Sequence, residues 1–332
     1  MLLVNETPFS AAILTTVLDA DRMMASIIAR ITYVFPEPTP LESSRDVSTR
    51  GDLTLSPVQP WPVSLSAWDS PQGSMEEDSP FMRGGVDLFL FGMARAARRV
   101  PVAQMEVALR VGDFERRAFV VGERIWIREG RRLVPSSAVP FVELPLTLAY
   151  AFGGVDSWDG LELPWPENPT GLGFFVEEAH AEGRALPRIE EPDQPMTSWD
   201  QRPTPCGVGF CPKGSTARLR NGTVISDSYE IEGIRPQMFN SAYPRMIAGS
   251  VQPGDRVRVE GMLHDATVEL TLPAPPFTVR LAFGSTVAKR VPSIDQIGIE
   301  VDERRVFVTY RFPFRYTVRA REFRQATMVV EA

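Results

Sequence analysis

The sequence predicts a mainly β protein, made of two β-sandwich-like lobes joined by a long Trp/Pro/Gly-rich irregular segment. The chain holds 30 prolines among 332 residues, about 9% against an average near 5%. Prolines end helices and favour strand edges and turns. Apolar residues recur in strand-length runs bounded by turn residues. The length favours two packed units over one, which we predict at residues 1–143 and 216–332, with the connecting segment at 144–215.

The first lobe begins with an apolar run typical of a buried strand. Residues 25–35 are rich in β-branched and aromatic side chains and are followed by Pro36, so the pattern predicts a strand that ends there. Residues 36–80 are proline-rich and are expected to be irregular, with one or two short strands. Within them the acidic triplet 76–78 (EED) is expected to be a solvated loop.

A β meander is predicted next, over residues 86–128. Gly112 and Gly122 lie between the strand-like runs and supply the glycines that tight hairpins favour. Apolar and polar side chains alternate between Met105 and Val111, which predicts one buried and one solvated face. The predicted strands lie at 86–92, 102–111, 117–121 and 124–128.

The connecting segment opens with a strand-like run, 144–152, that stops at Phe152-Gly153-Gly154. A helical turn is expected at 177–183. A segment this rich in aromatic residues has apolar surface to bury, either against its own core or against another protein. Both alternatives stay open for the four side chains that we name as candidate partner contacts: Trp158, Trp165, Phe174 and Phe175.

The second lobe is predicted from shorter strand-like runs. Residues 252–255 (QPGD) form a turn signature before VRVEG. A last strand or helix is expected at 321–330. The other predicted strands lie at 223–225, 256–260, 267–272, 277–283, 298–301 and 305–312.

Charge and hydropathy argue against two classes of partner. The formal net charge of −7 repels a phosphate backbone, which argues against nucleic acid. No run approaches the roughly 18 apolar residues that a membrane span needs. The amino-terminal segment has acidic Glu6 before its apolar part and lacks a basic start, so it is a poor signal peptide. We therefore expect a cytoplasmic protein.

The sequence gives no sign of catalysis. A nucleophile of the serine or cysteine type needs a nearby base, and the two histidines, His180 and His264, read as an exposed helical turn and a hairpin tip. Cys206 and Cys211 lack the further ligands of a metal site and are expected to be ordinary loop cysteines. We predict no enzyme, no metal and no cofactor.

An alternative function is carbohydrate binding or glycoside cleavage. Tryptophan rings stack on sugars, and glycosidases use two carboxyl groups about 5 to 10 Å apart. The candidates for this alternative are Trp158, Trp165 and Trp199 with Asp156, Asp159 or Glu162.

Several short motifs, in this order, resemble those of the DUF2169 family, whose members are found in association with type VI secretion in bacteria. The likeness spans roughly residues 1 to 285 and is carried by 87–92 (DLFLFG), 120–126 (VVGERIW), 144–146 (LPL), 151–154 (AFGG), 168–174 (NPTGLGF), 186–190 (LPRIE), 236–244 (PQMFNSAYP), and the Gly254-Asp255 pair before Gly261.

The resemblance implies a function in binding other proteins. It implies a cytoplasmic adaptor or chaperone that binds a toxic effector and helps to load it onto a spike protein of the VgrG or PAAR kind. It implies no catalysis and no cofactor. The segment 206–211 and the region after Gly284 match the family pattern poorly.

Overall fold

A computed structural model describes residues 1–37, 47–50, 52–64, 66–70, 73–228, 230–319 and 324–330. In chain order its strands are β1 (Leu2–Asn5), β2 (Ser10–Val17), β3 (Arg22–Val34), β4 (Val47–Arg50), β5 (Thr54–Leu55), β6 (Trp68–Ser70), β7 (Gly73–Met75), β8 (Val86–Phe91), β9 (Met93–Arg95), β10 (Gln104–Val111), β11 (Phe114–Val121), β12 (Trp126–Glu129), β13 (Arg132–Pro135), β14 (Glu143–Pro145), β15 (Phe152–Gly153), β16 (Val155–Trp158), β17 (Leu161–Pro164), β18 (Leu172–Gly173), β19 (Ile189–Glu190), β20 (Thr223–Ile225), β21 (Ile231–Ile234), β22 (Ile247–Ala248), β23 (Arg256–Glu260), β24 (Ala266–Thr271), β25 (Phe277–Phe283), β26 (Thr286–Arg290), β27 (Ser293–Glu300), β28 (Arg305–Thr317) and β29 (Arg324–Val330).

Helices are few and short within the described ranges. The two α-helices are α1 (Glu178–Ala181) and α2 (Thr216–Gly222), and the 3-10 turns are Ala97–Arg99, Leu148–Tyr150, Pro236–Phe239 and Pro244–Met246. The predicted mainly β class is confirmed.

A seven-stranded sheet forms the centre of the fold. Its order is β2-β3-β28-β27-β8-β22, and β5 pairs with β3. Strands β3 and β28 pair over thirteen residues each, although they lie at opposite ends of the sequence. Strand β8 is buried at every position and runs parallel to β27. Burial on both faces is typical of such a central strand, and Asp87 is its one polar residue.

Two further sheets share the main hydrophobic core. One has the order β19-β11-β10-β23-β24-β4, and the other has the order β1-β29-β25-β26. Buried side chains from all three sheets belong to one cluster, for example Leu109, Val279 and Ile297. Each sheet takes strands from before residue 144 and from after residue 215. The two-lobe description is therefore not confirmed.

A row of buried polar side chains crosses one face of the central sheet. The register places Arg30 opposite Thr309, Thr309 opposite Gln296, and Gln296 opposite Asp87. Residues directly opposite on paired strands point to the same face. Each member is at most 1% exposed, and Arg30 bonds to both Thr309 and Gln296. Buried polar groups of this kind require partners, and the row supplies them.

Asp87 accepts hydrogen bonds from five donors in three separate parts of the chain. Its carboxylate accepts bonds from the Arg83 Nε (3.0 Å) and the Gln296 Nε2 (3.2 Å). It also accepts bonds from the Asn240 side chain (2.8 Å) and from two backbone amides, those of Ser241 (2.9 Å) and residue 242 (3.2 Å). Burying a carboxylate is costly unless it is paired and hydrogen-bonded. The network thus fixes the DLFLFG segment against the NSAY segment.

The acidic triplet is not a solvated loop. Asp78 is 6% exposed and forms an ion pair with the buried Arg30 at 2.8 Å. Glu76 pairs with the buried Arg218, and Glu77 pairs with Lys213. The prediction was wrong because the cations that pair with these three acids are more than 45 residues away in the sequence. A local sequence pattern contains no information about such distant partners.

Most of the predicted strands are present, and one predicted run is absent. The expected strand at 144–152 is replaced by β14, a 3-10 turn at Leu148–Tyr150 and the two-residue β15. The Thr147 hydroxyl accepts a bond from the Ala149 amide, which favours a turn over an extended chain. The segment 321–330, expected to be a strand or a helix, is a strand at 324–330, whereas 321–323 lie outside the described residues, as does part of the 36–80 region.

Candidate functional site

A second, smaller hydrophobic core lies within the aromatic part of the chain. We call residues 124–135 and 152–199 the aromatic unit. Its buried members are Trp126, Leu133, Phe152, Phe175, Ala181, Leu186 and Met196, and partly buried Trp165, Phe174 and Trp199 pack against them. The Trp165 ring lies 5.4 Å from Phe152 and 5.2 Å from Phe174, measured between ring centroids. These contacts build a core of the unit's own.

The AFGG and NPTG segments hold each other in place. Asn168 donates from its side chain to the Leu148 carbonyl (2.8 Å) and to the Phe152 carbonyl (3.1 Å). Its own carbonyl accepts a bond from the Gly154 amide at 2.9 Å. A side chain at Gly153 would place its Cβ 2.0 Å from that carbonyl oxygen. The close approach explains why glycine occurs here.

The structure places the four candidate contact residues in different environments. Phe175 is 5% exposed and belongs to the smaller core, whereas Trp165 and Phe174 are partly buried against it. The Phe174 ring also lies 5.1 Å from the Arg202 guanidinium. Trp158 is 52% exposed. Of the four, Trp158 therefore presents the most surface to a partner.

Trp158 stands on a hairpin that the sequence reasoning missed. Strands β16 and β17 pair so that Trp158 lies opposite Leu161, and the intervening Asp159 and Gly160 both have positive φ. An Asp-Gly pair with this geometry is a strong short hairpin signal, which was available in the sequence. We call the exposed residues Trp158 (52%) and Leu161 (62%), which lie opposite each other and share one face of the hairpin, the ridge.

A contact between Asp156 and His180 joins this hairpin to α1. The Asp156 carboxylate accepts a bond from the Val176 amide at 2.7 Å and lies 2.8 Å from the His180 Nδ1. Burial alone would raise the pKa of Asp156, but the Val176 amide and the His180 ring together lower it. Asp156 therefore holds the base of the hairpin as a carboxylate. The predicted helical turn around His180 is confirmed.

The alternative sugar-binding set is not arranged as one row of exposed rings. Trp165 and Trp199 pack against the smaller core, whereas Trp158 is half exposed. Asp156 is engaged with His180, and Asp159 forms the hairpin turn. Carbohydrate binding stays a prediction with these residues.

A cleft of about 650 Å³ opens where several family-like segments meet. Phe91 and Gly92 from the end of β8, Leu146, and Thr170 from the NPTG segment line it. Asp302 is its one charged lining residue and pairs with Arg95. The other ionisable group of the described lining is the Cys206 thiol, whose pKa is raised by burial, so this thiol is not a base that could pair with Asp302 at neutral pH.

The cysteines lie in a segment that covers β8. The Leu90 amide donates to the Val208 carbonyl at 2.8 Å, and the Phe210 ring packs 4.7 Å from Phe89. Cys206 and Cys211 are buried and free. Burial raises the pKa of the Cys206 thiol and raises the pKa of Cys211 to about 11. Both are therefore protonated at neutral pH and poor nucleophiles.

The second histidine is engaged by the surrounding chain. His264 lies between β23 and β24, as predicted for a hairpin tip. Its Nδ1 is 2.8 Å from the Ala96 carbonyl, and its Nε2 is 2.9 Å from the Glu143 carboxylate. Among the described residues there is no group of three or more metal-ligating side chains, and none of the helices found there is long and apolar enough to cross a membrane.

The fold and the site define a mainly β protein that carries a small aromatic core beside its main core. A family described as "Uncharacterized protein conserved in bacteria (DUF2169)" matches residues 21–311. The chain therefore belongs to the DUF2169 family. No curated protein and no solved structure shows a significant match to the chain.

Proposed function

We propose that this chain is a non-catalytic adaptor that holds another protein through the ridge on the hairpin β16–β17. The observation that carries the proposal is the exposure of Trp158 and Leu161, which share one face of a hairpin next to a packed aromatic core. Large apolar side chains on a rigid support are typical of the residues that dominate protein–protein binding. Their exposure leaves apolar surface that a partner would bury.

The family resemblance supplies the class of partner. In this proposal the chain is a cytoplasmic chaperone that binds a toxic effector and helps to load it onto a VgrG or PAAR-type spike protein of a type VI secretion system. The adaptor covers apolar surface of the effector and holds it at the spike. Since the binding energy comes mainly from buried apolar contacts, salt is expected to weaken it only slightly.

The state of the nucleophile and base candidates supports a non-catalytic role. The Asp156 carboxylate holds the ring of His180, and the carbonyl of Ala96 and the carboxylate of Glu143 face the ring of His264. The two thiols are buried and protonated. Each of these side chains already has a structural role.

The test measures partner binding to purified variants. The probes are the effector and the spike protein encoded beside this chain's gene, each titrated against the wild type and against Trp158→Ser/Leu161→Ser. The matched control is Val287→Ser/Val291→Ser, because these valines are 66% and 64% exposed on another part of the surface. We expect the ridge variant to lose about tenfold or more in affinity for one probe.

The control variant is expected to bind like the wild type. Both variants should keep the wild-type unfolding midpoint, because the changed residues are exposed. Equal affinity of the ridge variant and the wild type would contradict the ridge as the binding surface. Failure of the wild type to retain either probe would contradict the adaptor function itself.

A further inference from the structure

The hairpin β20–β21 carries an apolar face that the aromatic unit does not use. Its strands pair with each other and belong to no larger sheet among the described strands. Ile225, Ile231 and Ile234 are 59%, 68% and 63% exposed. Isolated exposed apolar residues are normal on a protein surface, but a contiguous group is a sign of an interaction site.

A register shift brings the three isoleucines together. Thr223 lies opposite Ile234. The pairing then slips by one residue between Val224 and Ile225, and for this reason Ile225 lies opposite Ile231. Directly opposite residues point to the same side of a ribbon. Without the extra residue, side chains three positions apart would point to opposite faces. The bulge therefore gives one face with three isoleucines, and the other face carries Val224 and Gly233, which are half-buried.

The hairpin is held firmly at its base. The Arg235 amide donates to the Gly222 carbonyl at 2.8 Å, and the Thr223 hydroxyl donates to the Leu219 carbonyl at 2.7 Å. A Cβ at Gly222 would lie 2.6 Å from the Met238 Cα, so the helix α2 and the following 3-10 turn are in close contact. The isoleucine face is thus presented on a fixed support.

The charges around this face select the partner. Residues 223–235 contain three exposed acids, Asp227, Glu230 and Glu232, against one exposed arginine, Arg235, which follows Ile234. Arg220, which precedes the hairpin, pairs with Glu167 at 2.7 Å. A second copy of this chain would bring the same three acids to the interface, where like charges repel. A basic partner fits both the apolar face and its acidic rim.

We propose that the isoleucine face of β20–β21 binds a protein segment whose apolar side chains are flanked by lysine or arginine. The inference rests on the proposed adaptor function, because an adaptor needs one surface for the cargo and another for the spike. The ridge on β16–β17 then holds one of the two proteins, and this face holds the other.

The experiment compares two triple variants of the full chain. Ile225→Thr/Ile231→Thr/Ile234→Thr removes the apolar face while keeping β-branched side chains, which suit strands. Val17→Thr/Val287→Thr/Val291→Thr makes the same kind of change at other exposed valines. The probes are the purified effector and the purified spike protein encoded beside this chain's gene, each titrated singly. A third variant, Glu230→Lys/Glu232→Lys, reverses the charge of the rim.

The isoleucine variant is expected to lose about tenfold or more in affinity for the probe that the ridge variant still binds. The charge-reversal variant is expected to bind the same probe more weakly than the wild type does. Added salt should weaken the wild-type complex with that probe, because salt screens the attraction between the acidic rim and the basic partner. Binding should also slow amide hydrogen exchange in residues 223–234. The valine variant should bind both probes normally.

Two results overturn the proposal while leaving the adaptor function standing. One is wild-type affinity of the isoleucine variant for both probes. The other is a wild-type dimer, seen by sedimentation, that the isoleucine variant dissociates, since the face would then bind a second copy. If the wild type binds neither probe, both the adaptor function and this proposal are overturned.

Discussion

Replacing Gly153 by alanine tests whether the AFGG and NPTG segments support the aromatic unit together. The new Cβ would lie 2.0 Å from the Asn168 carbonyl oxygen, and φ at this position is +148°. To reach normal contact the two segments would separate by about 1 Å. The bond from the Gly154 amide to that oxygen, and the bond from the Asn168 side chain to the Phe152 carbonyl, would then weaken.

Other glycines of the chain serve as matched controls, because they separate the cost of the positive φ from the cost of the close contact of the added Cβ. Gly160 has positive φ but nothing within 4 Å of an added Cβ, whereas Gly122 would place a Cβ 1.9 Å from the Val139 carbonyl oxygen without an unusual φ. Gly249 has neither feature. We expect Gly153→Ala to cost about 3 to 4 kcal/mol, from about 1 to 2 for the backbone angle and about 1 for each hydrogen bond.

Gly160→Ala should lower the free energy of unfolding by about 1 to 2 kcal/mol, because it adds only the strain of the positive φ. Gly122→Ala should lower it by about 1 to 2 kcal/mol, because it disturbs only the contacts around the new Cβ. Gly249→Ala should leave the free energy of unfolding unchanged or slightly raised. Equilibrium urea unfolding, followed by tryptophan fluorescence, measures all four. A cost for Gly153→Ala no larger than that for Gly160→Ala would refute the close approach of the two segments.

Three further outcomes follow from the described contacts. Asp87→Ala should lower the free energy of unfolding by about 3 to 5 kcal/mol in urea titrations, because it leaves buried donors unpaired, while Asp19→Ala, which breaks an exposed pair, should change little. Asp156 has a lowered pKa, so its contribution to the free energy of unfolding is present above about pH 4 and is lost as the pH falls further. Between about pH 6 and pH 3, the urea midpoint of Asp156→Asn should therefore fall less than that of the wild type. Cys206 and Cys211 should react with a thiol reagent slowly in the native state and quickly in urea, and rapid native reaction would contradict their burial.

The strands predicted best are those whose pattern is local. The hairpin β10–β11 could be predicted from alternation and from the glycine at its turn, because Gly112 has φ of +55° and each strand has one buried face. The position of β8 was also predictable, but its parallel pairing with β27 was not. That pairing joins residues about 200 positions apart, and local periodicity contains no information about which strand lies beside it.

In the aromatic unit, too, the local sequence pattern predicts some features, whereas others depend on residues that are distant in the sequence. The sequence indicated that apolar surface in residues 144–175 must be buried, but it left open whether the chain or a partner buries it. The structure answers differently for each ring, since Phe175 is in the smaller core and Trp158 is half exposed. The Asp-Gly turn would have placed Trp158 at a hairpin end. The core that receives Phe175 depends on Trp126 and Leu133 from the preceding hairpin, which no local pattern connects to it.

The motifs that carry the family resemblance are largely occupied in building the scaffold. Asp87 of DLFLFG is bonded to Asn240 and Ser241 of PQMFNSAYP, and Asn168 of NPTGLGF is bonded to the AFGG segment. These motifs therefore join in pairs across the fold, and the side chains of Asp87 and Asn168 are already bonded within the chain.

A protein that works by binding needs apolar side chains that its own fold leaves uncovered. The two exposed apolar groups described above, on β16–β17 and on β20–β21, lie in stretches between the motifs rather than within them. Substitutions inside the motifs should therefore lower stability first and binding only as a consequence, whereas substitutions on the two hairpins should lower binding at unchanged stability. If motif substitutions abolish partner binding in variants that keep the wild-type unfolding midpoint, this separation of scaffold and contact surface is wrong.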